Sequence, residues 1–508
     1  MRAGVIDIGS DTIRLLVGEE VGQSIHIVET LQNALPIGRS TFLKGRISQD
    51  MINQTIVILE KYKEVLRQYE VPKVKAVATT AVREAGNRSI FLDTIKRKTG
   101  LDIEVLNVGD VVFYIDSYLS FSLEKAYPVQ EKNLLIAELG GGSLDVSVMR
   151  KGFTLMNMGL SIGTMRLQQL LSQMGGSREE NSEALKECIE NEFIYLSKSI
   201  PRVQLDDIVL INENYFYFQN LLPEKKAALD FFQLTKAEVQ NILKELSGKH
   251  PETISNDYKI PLAIAETLEA YAVILQQFFS LGSKNYIYIL QTSLSEAILA
   301  SLLSGLEISK RYDKANQLIA VATNLCHRFN LDLDHAKHVA QLSQTFFGKL
   351  KEHLGLKDQD ALYLVLAAYL HDIGIFVNNR SHHKHSEYII SSLNLFRLTD
   401  EEIKMIACIA RYHRKATPNK THFLYGSLPP ESQILVQKLS SLLRIVNALD
   451  STHRQKVKGV EIGIERLGDV AITAKVQDNF LVEQHDFLEK KDLFEEITGN
   501  KIHLSIKE

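Results

Sequence analysis

Residues 5–17, VIDIGSDTIRLLV, and residues 136–148, IAELGGGSLDVSV, say nearly the same thing. Each is an apolar run that ends in an acid, turns through glycine and serine, and resumes as an alternating apolar run. That pattern is a β-hairpin with a tight turn. Two copies, about 130 residues apart and each opening a stretch that mixes strands with helices, constrain the chain to two related α/β lobes. The turns also carry chemistry. Backbone N–H groups in a glycine turn can hold phosphate oxygens, and an acid at the strand end can hold a Mg²⁺ that neutralises them. A plain hairpin accounts for one copy; a pair suggests a phosphate chain clamped between two turns.

The rest of the chain is read around this pair. Strands are expected at 3–18, 25–31, 73–80, 103–108, 133–139 and 144–156, and helices at 48–70, 88–99 and 110–124, with Ser48 as an N-cap. From 159–167 (GLSIGTMRL) to about 307 the pattern is mostly helical, interrupted by strand-like runs at 207–212 and 285–290. Residues 311–452 read as helical almost throughout. Residues 457–508 read as two strands around a Gly-Asp turn, a charged helix and a last strand. The 508 residues exceed a single core, and four parts are expected: lobe I at 1–128, lobe II at 129–308, a helical domain at 309–454 and a small α/β domain at 455–508. A net charge of −4 speaks against a general nucleic-acid binder. No apolar run reaches the length of a membrane span. The start runs straight into a strand pattern, and Cys188, Cys326 and Cys408 have no metal or disulfide spacing. A cytoplasmic location is expected.

Four ordered segments, DIGSDTIRLLV, AVATTAVREAGN (76–87), LGGGSLDVSV and GLSIGTMRL, resemble the successive motifs of the exopolyphosphatase/guanosine-pentaphosphatase (Ppx/GppA) family. The resemblance implies a duplicated actin/sugar-kinase-like (ribonuclease-H-like) fold. It implies that Asp7 and Glu138 hold Mg²⁺ in the cleft between the lobes, with Glu138 standing where the family usually has Asp. Gly9, Ser10 and Asp11 would form the first phosphate loop, and Gly140, Gly141, Gly142 and Ser143 the second. Thr79, Thr80 and Arg83 match the family's Thr- and Arg-bearing loop, with Arg83 expected on phosphate. Arg166 is expected to have a structural part.

The pattern breaks in three places. The family's general-base glutamate falls on Val111, in the segment EVLNVGDVVFYI (104–115), and valine accepts no proton. Either Asp110 or Glu104 serves as the base, or the site binds phosphate without efficient hydrolysis. The segments 209–217 and 290–299 also depart from the family's glycine-rich turn and Arg-Glu-Gly signature.

Histidines carry the second signal: ten of the 15 fall between His327 and His422. His335, His371-Asp372, the trio His382, His383 and His385, then His413 and Asp450 follow the order of HD-type metal phosphohydrolases. His335 shares a helical face with Val339, Leu342 and Phe346. Asp372 aligns with Leu364 and Ala368, His413 with Ile403, Ile406 and Ala410, and Asp450 with Leu439, Leu443 and Val446. Core-facing imidazoles and carboxylates are costly to bury unless a shared metal pairs them. One or two transition-metal ions (Mn, Fe, Co, Ni or Zn) are expected in this HD-type domain. His335, His371, Asp372 and Asp450 would hold one. His385, favoured over His383 and His382, and His413 would hold a second, with Asp372 bridging.

The leading expectation is a phosphohydrolase that releases terminal phosphate from inorganic polyphosphate or guanosine pentaphosphate, slowed by Val111. Two rivals stand beside it: an HD-domain hydrolase of a nucleotide or phosphoester, and a non-catalytic sensor of polyphosphate or an alarmone. The expected partners are polyphosphate or a phosphorylated guanosine nucleotide, no specific nucleic acid, no membrane, and a second copy of the chain as a candidate homodimer.

Overall fold

The computed structural model describes residues 1–22, 24–122, 127–212, 220–222, 231–465 and 467–507, with backbone alone at 231, 232, 306 and 311. The chain divides into two compact units, Met1–Asp313 and Lys314–Glu508.

The first unit holds two sheets. In one, β1 (Arg2–Ile8), β2 (Thr12–Val21) and β3 (Ser24–Ala34) run antiparallel, and β4 (Lys73–Ala78) and β5 (Ile103–Val105) continue parallel from β1, in the order β3-β2-β1-β4-β5. In the other, β6 (Asn133–Leu139), β7 (Leu144–Arg150) and β8 (Phe153–Leu160) repeat the antiparallel meander. Then β9 (Asp207–Ile211) lies parallel to β6, and β11 (Tyr286–Leu290) parallel to β9, with β10 (Phe231–Thr235) antiparallel at the edge. The segment Phe231–Thr235 was not expected as a strand.

Strand periodicity decides which face each side chain joins. In β1, Ala3 and Val5 enter a central core that also takes Leu134 and Ile136 from β6, while Ile6 and Ile8 enter lobe I's outer core. Leu135, Ala137 and Leu139 enter the outer core of lobe II. Two helices, α1 (Val108–Ser122) and α2 (Leu294–Leu303), contribute Val111, Ile115, Ala297 and Ile298 to the central core. Burying a valine or isoleucine side chain of this kind stabilises by about 1.5–3 kcal/mol.

The second unit is built on α3 (Leu333–Leu354), α4 (Asp360–Leu370), α5 (His382–Ser391), α6 (Asp400–Arg411) and α7 (Pro430–Ala448). Val339, Phe346, Leu364, Ala368, Ile406, Ala410, Leu443 and Val446 are all buried, so the apolar stripes read from the sequence face the core. A three-stranded sheet closes the unit. In it β12 (Val457–Ile464) and β13 (Val470–Val476) are antiparallel and β14 (Ile502–Lys507) is parallel to β13, with α8 (Leu481–Lys490) in the connection. Among the described residues no helix is long and apolar enough to cross a membrane.

Candidate functional site

The two hairpins close in the same way. Gly9 N–H donates to Thr12 O at 2.9 Å, and Gly140 N–H donates to Ser143 O at 3.0 Å. Cross-strand register puts Arg14 opposite Asp7 in the first hairpin and Asp145 opposite Glu138 in the second. One turn is therefore flanked by an acid and a base, the other by two acids.

The turns meet. A Cβ on Gly142 would lie 2.6 Å from Ser10 Oγ and 2.9 Å from Thr80 Cβ, so only glycine permits this approach. Thr80 Oγ1 and Ser143 Oγ share a hydrogen bond of 2.9 Å across the lobes. Arg166 Nε donates to Gly142 O at 2.8 Å and its Nη2 pairs with Glu84 at 2.6 Å, which holds the second turn in place. Ser295 Oγ donates to Asp7 Oδ2 at 3.0 Å.

Between the turns lies a cavity of about 180 Å³. Asp7, Gly9, Ser10, Asp11, Thr79, Thr80, Glu138, Gly140, Gly141, Gly142 and Ser143 all line it. Asp145 lines it too, and so do Val111, Ile264, Leu268 and Tyr271. Four carboxylates therefore face one guanidinium, that of Arg14, among the described residues. Asp145 is fully buried, and burial pushes its carboxyl up to about 6 against the opposing pull of nearby Arg83.

Three expectations need correction. Arg83 does not line the cavity; its guanidinium is spent on Leu106 O at 2.9 Å and Thr80 Oγ1 at 3.0 Å, so it braces Thr80 from behind. Asp110 does not line it either. It exchanges hydrogen bonds with Asn107 at the start of α1, accepting from Asn107 N–H at 3.3 Å. Glu104 lies on β5 in an ion pair with Lys75 at 2.6 Å. One turn of helix separates cause from result: α1 begins at Val108, so Val111 faces the cleft and its neighbour Asp110 faces its own helix end. Asp145 was missed, although its place in the second hairpin, matching Arg14 in the first, was there to be read. Of the divergent segment 209–217, residues 213–217 lie outside the described residues.

The second unit gathers a different set. The α4 helix ends at Leu370, and Ile373–Phe376 forms a 3-10 turn. A Cβ on Gly374 would overlap His382 O and lie 2.8 Å from His385 Cβ, so glycine lets α5 close onto the His371-Asp372 turn. Ser386 fastens the contact, donating to His371 O at 2.6 Å and accepting from Gly374 N–H at 2.9 Å. His382, Ser386 and Ile390 form the buried face of α5. His385, the expected one of the trio, is off that face, and it is His382 whose Nε2 lies 3.2 Å from Asp372 Oδ1.

The imidazoles share one orientation. Nδ1–H of His371, His382 and His413 donates to the carbonyls of Ala368, Asn379 and Ala410 at 2.8, 2.9 and 2.6 Å. His335 Nδ1 lies 2.8 Å from Asp450. With the protons on Nδ1, the Nε2 lone pairs turn inward. His335 Nε2 faces His371 Nε2 at 3.3 Å, and His382 Nε2 faces His413 Nε2 at 3.2 Å. Two acceptors at that distance repel unless a cation or a proton stands between them. Burial pushes the His371 imidazole down to about 4 and His413 well below its ordinary value. Burial pushes Asp372 up, yet His371 and His382 beside it hold its carboxyl well below the carboxylate range. Two ligand groups result, His335–Asp372–His453 and Asp372–His382–His413, each with ligand atoms within 4.8 Å of one another. Neither Asp450 nor His371 is in either group, although His371 Nε2 lies 3.3 Å from His335 Nε2, and His453 was not singled out from the sequence.

Comparison with known proteins follows the same division. The model of the Ppx/GppA phosphatase family matches residues 16–305, and that of Ppx/GppA phosphatase, domain III, matches residues 319–497. The guanosine-5'-triphosphate,3'-diphosphate pyrophosphatase of Photobacterium profundum is 20% identical over 470 residues, 89% of this chain and 86% of its own. That of Pseudoalteromonas translucida is 22% identical over 508 residues, 96% and 93%. Among solved structures, a Ppx/GppA family member of Aquifex aeolicus aligns at 24% identity and TM-score 0.51, over 60% of this chain and 98% of that one. An exopolyphosphatase of Cytophaga hutchinsonii aligns at 22% and 0.54, over 61% and 99%. Both structures match the two-lobed actin-like fold.

Proposed function

The chain belongs to the Ppx/GppA phosphatase family, and from that premise we propose that it is a phosphoanhydride hydrolase. It releases terminal phosphate from inorganic polyphosphate or a guanosine pentaphosphate in the cleft between the two hairpin turns. The observation that carries this reading is the meeting of the turns around a cavity that four carboxylates and one guanidinium line. Phosphates cannot enter such a wall without cations. Mg²⁺ prefers hard oxygen donors and keeps phosphate oxygens in its shell, which fits this set. Asp7 and Glu138 would hold it, and there it would neutralise charge on the phosphates. The turns' N–H groups, Ser10, Thr80 and Ser143 grip the terminal phosphate, and Arg14 supplies the guanidinium. Attack by water breaks the bridging P–O bond, and Asp145 is the buried wall carboxylate that takes the water's proton in place of the missing glutamate. The relatives named above as pyrophosphatase and exopolyphosphatase support the reaction class.

The test is phosphate release from polyphosphate and from guanosine pentaphosphate, with and without Mg²⁺, beside calorimetric binding at low salt. Mg²⁺-dependent release supports the reading. Tight binding without release would favour a sensor, and neither binding nor release would end the two-turn account.

A second reading rests on the inward-facing imidazoles of the other unit, and it takes that unit as an HD-type metal centre. His335, His371, Asp372, His382 and His413 would hold one or two transition-metal ions, with Asp372 between the two positions. A metal there lowers the pKa of its bound water towards neutrality and supplies a hydroxide nucleophile for a phosphoester.

A further inference from the structure

The segment after α7 holds two non-glycine residues in the left-handed region, His453 at φ 57° and Gln455 at φ 47°, a conformation that L side chains disfavour. Its surroundings hold it there. Buried Glu483 on α8 takes Lys456 Nζ at 2.8 Å and the Thr452 hydroxyl. Gln455 donates to Asp450 from its backbone at 2.6 Å and from its side chain at 3.3 Å.

The consequence is the placing of one imidazole. The His453 ring lies flat on His335, centroids 3.6 Å apart and planes within 6°. Its Nδ1 donates to Asp332 Oδ2 at 3.1 Å, and the other oxygen of Asp332 caps α3 by accepting His335 N–H at 3.1 Å. A ring nitrogen of His453 lies within 4.8 Å of ligand atoms of both His335 and Asp372. Asp450, by contrast, has both oxygens engaged, one by His335 Nδ1 and Gln455 and the other by the Gln455 backbone. A carboxylate that holds an imidazole N–H orients the ring for a metal without touching the metal itself.

The geometry points to His453, rather than Asp450, as the inner ligand that completes the first metal position, with Asp450 and Asp332 as outer carboxylates of two matched carboxylate–histidine pairs. This rests on the reading of the second unit as a metal centre. An imidazole binds a metal in its own plane, so loading tilts His453 off the stack. At 37% exposure its side chain has room to do so.

The experiment strips the full-length protein with a chelator and titrates it with Co²⁺, reading stoichiometry by elemental analysis, affinity by equilibrium dialysis and ligand field by visible absorption. His453→Gly is the main variant, because glycine accepts the left-handed backbone; His453→Asn is the second, and thermal melts establish that both fold. His453→Gly should weaken Co²⁺ binding by more than the roughly 10–100-fold expected for removing an outer carboxylate, by more than Asp450→Asn does, and should change the absorption band. Unchanged affinity and band in both His453 variants, or a larger loss in Asp450→Asn, overturns the assignment. His371→Ala separates the two readings. If it loses Co²⁺ while the His453 variants keep it, only the His453 assignment falls. If wild type and His371→Ala take up none, or equally much, the metal centre falls and His453 with it.

Discussion

At position 111 the cavity is lined by a side chain that accepts no proton, and Asp145, the buried carboxylate on the same wall, is the proposed acceptor. Loss of a positioned base typically costs about 10²–10⁴ in rate, so wild-type turnover on polyphosphate should fall well below the ~10 s⁻¹ of an average enzyme. Val111→Glu should raise that rate, and Asp145→Asn should lower it in both backgrounds, by roughly tenfold or more in the wild type, as phosphate release kinetics would reveal. Equal rates for Asp145→Asn and wild type would move the base elsewhere. Residue types were legible here; their direction was not. Val111 was identified by setting its segment against the family's glutamate-bearing one. Whether Asp110, Glu104 or Asp145 faced the cavity depended on where α1 begins and on the register of β7, and neither is written in residue identity. The same limit explains why His385 was favoured over His382, three positions away on α5, until Gly374 sets how α5 lies.

Elements carry the next constraint. The hairpins were readable because a strand repeats every two residues, and an acid before a glycine turn marks its end. The helical stripes were readable for the matching reason, with a period near 3.6. The ties between elements were not. Asp116 on α1, wholly buried, accepts hydrogen bonds from Ser147 on β7 and Thr154 on β8, each at 2.8 Å, with Tyr312 beside it. Burial pushes its carboxyl up to about 7. In the unfolded chain the group titrates near 4, so between about pH 4 and 7 the folded state keeps a proton that the unfolded state has lost. Its contribution to stability is therefore present at low pH and declines as pH rises through that window. Asp116→Asn should flatten this decline. Urea unfolding at pH 8 should show a gain in midpoint over wild type that shrinks towards pH 4–5, and parallel pH profiles would refute the assignment.

At the scale of the whole molecule, one chain carries two clusters of different donor chemistry: hard oxygen donors around a cavity of about 180 Å³ in one unit, and imidazoles around a single aspartate in the other. Asp7→Asn should abolish Mg²⁺-dependent phosphate release while the purified protein keeps its transition-metal content. His371→Ala should lose that content, with elemental analysis reading both. Loss of metal on Asp7→Asn would mean the sites are not separate. What the sequence by itself determined was the inventory and its order: a duplicated turn, a histidine-rich helical half, and the apolar periods that assign each segment to strand or helix. These are local properties, written in spacing. What only the tertiary structure decided was convergence. Gly142 must pass within reach of Ser10, Gly374 must admit α5, and a left-handed backbone at His453 must lay its ring on His335. Each depends on close packing between segments far apart in the chain, where a shift of one residue in register or a hundred degrees around a helix exchanges a ligand for a bystander.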